Sequence, residues 1–417
     1  MNAFLFWLIL MLVFVLAYGL GAQRTAVKLR AERDQVGRAA PAIAPETLAA
    51  LQARVAPMLG ISGHKVIGNI VQFSGQLRGQ PDEMFGKIRE AFARDPIKPM
   101  LLEGDQGDVN LLLLPAEKAE PKPWRVNWPL HWFLFFATIA TTTWAGALDA
   151  GVNLLEQPER FAVGLPYSLA LMLILGSHEL GHYFTARAHG IRVTPPYFIP
   201  VPFSLGTFGA FIQIKSVTPN RRALFDVAVA GPLAGLVFAI PALLIGLRFS
   251  EVVPASAASG LDQFGLNVGS SLLFAFLATI SLGPSVLGAN HLVLHPLAFA
   301  GWLGLIVTAL NLLPIGQLDG GHISHALFGL RNARGISMVA MAGLFLLALF
   351  VWPGLMFWAF IVFFIAGTRD APAANELTPV GLPRQLLGYF AFFLLLLIIV
   401  PVPHALYQVM SAHSAYL

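Results

Sequence analysis

An apolar run over residues 165–176 passes without a break into Ser177-His178-Glu179-Leu180-Gly181-His182, so whatever encloses the run must also hold two imidazoles and a carboxylate. On a helix, His178 and His182 project from one face with Glu179 beside them. Two imidazoles at that spacing can share one Zn²⁺, and the adjacent carboxylate can take a proton from a water that the metal activates. An ionisable side chain near mid-bilayer costs about 2.5–3.5 kcal/mol on insertion scales, so such groups face a polar cavity, a partner or a metal. The competing reading is a helix end with interfacial His and Glu. It is weak in a chain where only 12% of residues are charged.

Hydrophobic residues make up 56% of the 417, which overrides the soluble multidomain organisation that length alone suggests and predicts a polytopic α-helical membrane protein. The net charge of +4 comes from Lys and Arg at helix ends; no basic run with interleaved aromatics occurs, and nucleic acid is set aside. Cysteine is absent, which excludes disulfides, thiolate metal sites and a cysteine nucleophile. A metal here is held by His and carboxylates.

Four regions follow in order. Residues 1–21 read as an apolar transmembrane anchor, because its basic residues, from Arg24 to Arg38, come after the apolar stretch and not before it. Residues 22–127 hold most of the charge and read as a linker and a small cytoplasmic α/β module, with helices over 45–59 and 81–93 and strands over 66–77, 99–103 and 108–114. Residues 128–334 form the core, with spans over 128–150, 165–188, 224–247 and 297–318 and a short helix over 270–282. Residues 335–417 add C-terminal helices over 336–351 and 354–366, paired around Pro353, and a last one over 386–400. About six to eight transmembrane helices are expected.

Residues 191–216 carry Pro195, Pro196, Pro200, Pro202, Gly206 and Gly209, too many breakers for a helix, yet they are apolar. Irregular backbone at membrane depth must be buried in protein or line a cavity, so a re-entrant β-hairpin beside the metal is expected. Its alternating stretch over 208–216 offers Phe208, Gly209, Phe211 and Gln213 as a strand edge for an extended peptide. The plainer reading is a hydrophobic loop in the interface. Gly231 to Gly235 fit G-x-x-x-G, a weak signal for close helix approach.

A catalytic zinc site has three protein ligands and an open position. The extended pattern H-E-x-x-H-x-x-G-x-x-H fails, since Thr185 and Ala188 stand at the glycine and third-histidine positions. A glutamate from the next stretch also fails, because no acidic residue lies between Glu179 and Asp226. Asp226 follows Arg221 and Arg222 and reads as an ion pair or a helix N-terminal carboxylate. Asp319, at the end of an apolar helix and flanked by Pro314, Gly316, Gly320 and Gly321, is the expected third ligand.

Together, HELGH and the N-x-x-P-x-x-x-L-D-G pattern of Asn311, Pro314, Leu318, Asp319 and Gly320 resemble the site-2 protease family of intramembrane zinc metalloproteases. The longer stretch over 295–322, with FGAFIQIKS and GPLAG, is most similar to the branch of the plastid EGY proteins and their bacterial relatives. The resemblance implies hydrolysis of peptide bonds within or near transmembrane segments. In that reading His178, His182 and Asp319 hold zinc, Glu179 is the base and Asn311 is an oxyanion donor or a packing residue. The implied partners are single-pass membrane-protein substrates and the bilayer, with a homo-oligomer left open. A bacterial inner membrane is expected, active site toward the cytoplasm, because residues 1–38 lack transit-peptide composition. Two rivals remain: a zinc-bearing scaffold, which has no need of Glu179, and a transporter, which predicts polar groups spread over several spans.

Overall fold

The computed structural model describes residues 43–104, 107–115, 125–202, 205–254, 266–267, 271–283, 290–350, 355–365, 367 and 370–400. The expected anchor, most of the linker behind it and the turn at Pro353 lie outside these residues.

In the first part, α1 (Pro45–Val55) leads into the hairpin β1 (Leu59–Ile67) and β2 (Ile70–Leu77), then α2 (Pro81–Ala91), then the hairpin β3 (Ile97–Glu103) and β4 (Val109–Pro115). Both helices place proline in the first turn, where its missing N–H is no loss. The strands form an antiparallel sheet in the order β1-β2-β4-β3. Val71, Phe73, Leu101, Leu111 and Leu113 on one face enclose an apolar cluster with Val55, Phe85 and Ile88 of the helices. On the other face Asn110 Oδ1 accepts from Gln72 Nε2 at 2.9 Å and from Ser74 Oγ at 2.8 Å. The sequence predicts one strand over 66–77 where two are present. A register shift between Ile61 and Gly63 breaks the alternation of β1 and hides it. Phe73 is fully buried here, and Phe73→Ala is expected to lower the stability of this unit by about 3–5 kcal/mol. Proteolysis within residues 43–115 of the full chain during a thermal ramp measures it, and an unchanged profile would contradict this packing.

Beyond residue 125 the described chain is mostly helical. It runs through α3 (Trp128–Asp149), α4 (Leu165–Ala188), the hairpin β5 (Tyr197–Pro200) and β6 (Thr207–Phe211), and α5 (Arg221–Leu247). It continues through β7 (Glu251–Pro254), β8 (Leu266–Asn267), α6 (Leu272–Leu282), β9 (Asn290–Val293), α7 (Pro296–Leu312), α8 (Asp319–Phe350), α9 (Leu355–Ile365) and α10 (Leu382–Ile399). Among the described residues, four helices are long and apolar enough to cross a membrane: α4 with the turn before it, α5, α8 and α10. The first expected core span, α3, is not one of them; it has the length but carries His131 and Thr138, Thr141, Thr142 and Thr143.

One apolar cluster joins α5, α6, α7, α8 and α10, with Phe225, Leu243, Leu247 and Phe274 fully enclosed. Between apolar helices in lipid, this close packing is itself the cohesive force. The hairpin is held against α3 and α4: Thr141 Oγ1 donates to the Gly206 carbonyl at 2.7 Å and Tyr167 Oη to the Leu205 carbonyl at 2.9 Å. Its second strand ends at Phe211, short of Ser216, after which pairing continues as an isolated bridge between Val193 and Ile214. A break at Gly329, φ +82°, divides α8 into residues 319–328 and 330–350. Only glycine takes that conformation readily.

Candidate metal centre

The two imidazoles ride on α4, whose periodicity places both on the side facing α5. Their seat is the small-residue stretch of α5. A Cβ at Gly231 would overlap the His182 ring, and one at Gly181 would press on the Ala230 carbonyl at 2.6 Å. G-x-x-x-G therefore makes room for ligand side chains as well as for backbone approach. Pro232 returns no N–H to Ala228, which loosens this turn. The neighbouring Val227 carbonyl accepts from His182 Nδ1 at 2.8 Å. With its hydrogen on Nδ1, His182 presents an Nε2 lone pair to the site.

Asp319 does not end a helix as expected; it begins one. Pro314 holds Leu313 extended (φ −55°, ψ 131°) and stops α7 at Leu312. Residues 313–318 turn sharply, with Gly316 N–H donating to Ser337 Oγ at 3.1 Å, and α8 starts at Asp319. A Cβ at Gly320 or Gly321 would collide with backbone of residues 312–316, so the two glycines allow this tight return.

The result brings together residues 141 positions apart in sequence. Nε2 of His178 and of His182 are 3.1 Å apart, and Asp319 Oδ2 is 3.3 Å from each. Among the described residues this is the group of His and carboxylates that could hold a metal ion, its ligand atoms all within 4.8 Å of one another. Tetrahedral zinc with bonds of about 2.0–2.1 Å separates its ligand atoms by about 3.3 Å, so the donor set and its spacing fit. Two facing nitrogen lone pairs and a carboxylate oxygen call for a cation between them. Both histidines and Glu179 are buried, and the Ile212 backbone amide faces the Glu179 carboxyl. Asn311 Nδ2, on the last turn of α7, is 3.4 Å from His178 Nε2.

The predicted residues thus divide. His178, Glu179, His182, Asn311 and Asp319 gather at one place. Of the hairpin residues, Phe208 and Phe211 are exposed, and Gln213 pairs with Thr194, accepting from its N–H at 3.0 Å. The residue that joins the hairpin to the site is Ile212, between Phe211 and Gln213, which the sequence reading passes over although it lies in the same alternating stretch. Asp226 pairs with Arg384, at 2.7 and 2.9 Å, and with His189 at 3.1 Å, where Arg221 and Arg222 were the expected partners. His322 and His325 both bond Asp370 Oδ2, at 3.0 and 2.5 Å. Burial works to raise the Asp370 carboxyl, but the two imidazoles hold it well below the usual carboxylate range.

Two histidines and an aspartate that could hold a metal ion, beside a buried glutamate and among apolar helices, match the donor set of the zinc metallopeptidase class. The sequence profile of Peptidase family M50 matches residues 166–350. The chain is 30% identical over 371 residues to the Arabidopsis thaliana protein named probable zinc metalloprotease EGY1, chloroplastic, covering 81% of this chain and 67% of that one. Against the Arabidopsis thaliana protein named probable zinc metalloprotease EGY2, chloroplastic, it is 32% identical over 346 residues, covering 80% and 61%. Against the EGY1 protein of Oryza sativa subsp. japonica it is 29% identical over 371 residues, covering 80% and 63%. The chain belongs to Peptidase family M50, the site-2 protease family. It spans about three fifths to two thirds of the length of these relatives. No solved structure matches it.

Proposed function

We propose that this chain is an intramembrane zinc metalloprotease that hydrolyses peptide bonds within or near transmembrane segments of membrane proteins. The observation that carries the reading is the convergence of His178 Nε2, His182 Nε2 and Asp319 Oδ2 beside buried Glu179. Zinc held by these three supplies Lewis acidity toward the scissile carbonyl and toward water. Glu179 takes the proton from the attacking water and gives it to the leaving amine. The Asn311 amide, 3.4 Å from His178 Nε2, donates in this reading to the oxygen on which negative charge develops. A helical peptide bond is shielded by its own hydrogen bonds, so the substrate must unwind, and β6 offers backbone groups that can replace those lost. In this reading Phe208, Gly209 and Phe211 on β6, with Gln213 in the stretch that follows it, line the edge that receives the substrate.

The chain is further proposed to have six to eight spans and to reside in a bacterial inner membrane with the centre toward the cytoplasm. Its proposed partners are single-pass membrane proteins and the surrounding bilayer, with homo-oligomerisation to be measured.

Metal removal tests the activity. Purified protein in liposomes with a panel of single-span substrates is expected to lose all cleavage on treatment with a strong zinc chelator and to regain it when zinc is restored. Cleavage that survives complete removal of metal, or a zinc-loaded protein that cuts none of the panel, would sink the reading.

A further inference from the structure

Residues 319–328 are held at points beyond the metal centre. Their C-terminal carbonyls, at the Gly329 break, are capped by Arg221: its Nη2 donates to Ala326 O at 2.6 Å and to Leu327 O at 3.1 Å, and its Nε to Ala326 O at 2.9 Å. On the flank, His325 is fully buried with a carboxylate at each ring nitrogen, Asp370 at Nδ1 and Glu376 Oε2 at Nε2, 2.9 Å. Turning that ring would cost the buried Asp370 and Glu376 carboxylates one partner each, so its orientation is fixed from both sides.

The segment that supplies Glu376 is joined by isolated bridges to two neighbours. Leu101 of β3 donates to Ala374 O at 2.7 Å and accepts from Glu376 N–H at 2.9 Å. On the other side Ala374 N–H donates to Thr218 O at 2.8 Å and Asn375 N–H to Pro219 O at 3.1 Å. Asn375 thereby bridges in parallel to both Leu101 and Asn220, the N-cap of α5. The unit of residues 43–115 adds polar ties: Asp82 to Arg222 at 3.1 Å, to Thr378 at 2.7 Å and to Asn375 at 3.5 Å, and Glu103 to Arg221 at 3.7 Å. Glu103 also lies over the Gly329 break.

We propose that residues 319–328 act as a separately held rod through which the unit of residues 43–115 sets the position of Asp319, with Glu376 and His325 as positioning residues. The inference rests on the metal-centre reading above. It makes the sheet edge at β3 an internal docking surface whose occupancy is read at the metal.

The test uses the full chain in detergent, loaded with Co²⁺ for its visible absorption and with Zn²⁺ for chelator competition. Glu376→Ala is expected to weaken zinc binding by about 10- to 100-fold and to change the cobalt band, and Glu376→Gln, which keeps one acceptor oxygen for His325 but loses the one that meets the Ala373 N–H, to restore part of both. The double variant Asp82→Ala with Glu103→Ala is expected to shift band and affinity in the same direction by less. Glu83→Ala, which loses a pair with Lys87 on α2, leaves both unchanged. A double variant indistinguishable from Glu83→Ala overturns the inference, as does Glu376→Ala with wild-type band and affinity. Should Glu376→Ala lose its helical circular dichroism, the double variant decides alone. Cleavage does not enter this readout. A zinc-loaded wild type that cuts nothing sinks the protease reading while the spectra still decide this one.

Discussion

Glu179→Gln is expected to keep its zinc and to lose about 10²- to 10⁴-fold in cleavage rate. The change preserves the shape of a side chain that is buried next to His178 and one turn of α4 from His182. It leaves the three ligand atoms untouched and removes the group that can accept a proton. Bound metal and the cleavage of a single-span substrate in liposomes, measured on the same preparations, separate the two roles. Retained zinc with wild-type cleavage would show that Glu179 is not the base, and lost zinc would show that it helps to hold the centre.

Gly231→Ala should be nearly as damaging from a position that contributes no chemistry. The added Cβ would occupy the space of the His182 imidazole, so either the ring leaves its place or α4 and α5 move apart. A displacement of about 1 Å at a reacting centre costs on the order of 10²-fold in rate, and here a ligand is displaced, so zinc affinity falls as well. Gly235→Ala is the internal comparison. Its Cβ would meet His178 Cβ at 3.4 Å, an ordinary contact, so zinc content and cleavage should stay near wild type. Equal behaviour of the two variants, in either direction, would refute the seat described for the imidazoles.

What could be read from the residues follows from how far apart the interacting groups lie. His178, Glu179 and His182 share one helical turn, so spacing alone specifies their relation. Asp319 stands out because acidic groups are scarce in an apolar chain, which identifies the residue without revealing its local structure. Pro314 stops α7 early and Gly320 and Gly321 permit the close return, so the aspartate opens a helix where it was expected to close one. Long-range pairing was opaque. Asp226 has two arginines within five residues, yet its partner is Arg384, 158 positions on. Asp370 and Glu376 sit in a stretch whose local pattern says only loop, and their bonds to His325 exist because the fold folds that stretch back on α8. β1 escaped for a third reason, since a bulge spoils the alternation by which a strand is recognised.

The break at Gly329 bears on how this protein tolerates different lipids. A straight helix of 32 residues would be about 48 Å long, well beyond a hydrocarbon layer of about 30 Å, and would have to lean to fit. Every change in bilayer thickness would then swing its first residue, Asp319, through an arc. The break at Gly329 divides that length, so the direction of residues 319–328 is set by their own clamps, while residues 330–350 meet the loop before Asp319 through Ser337. The place of Asp319 therefore does not follow from the lean of one long rod.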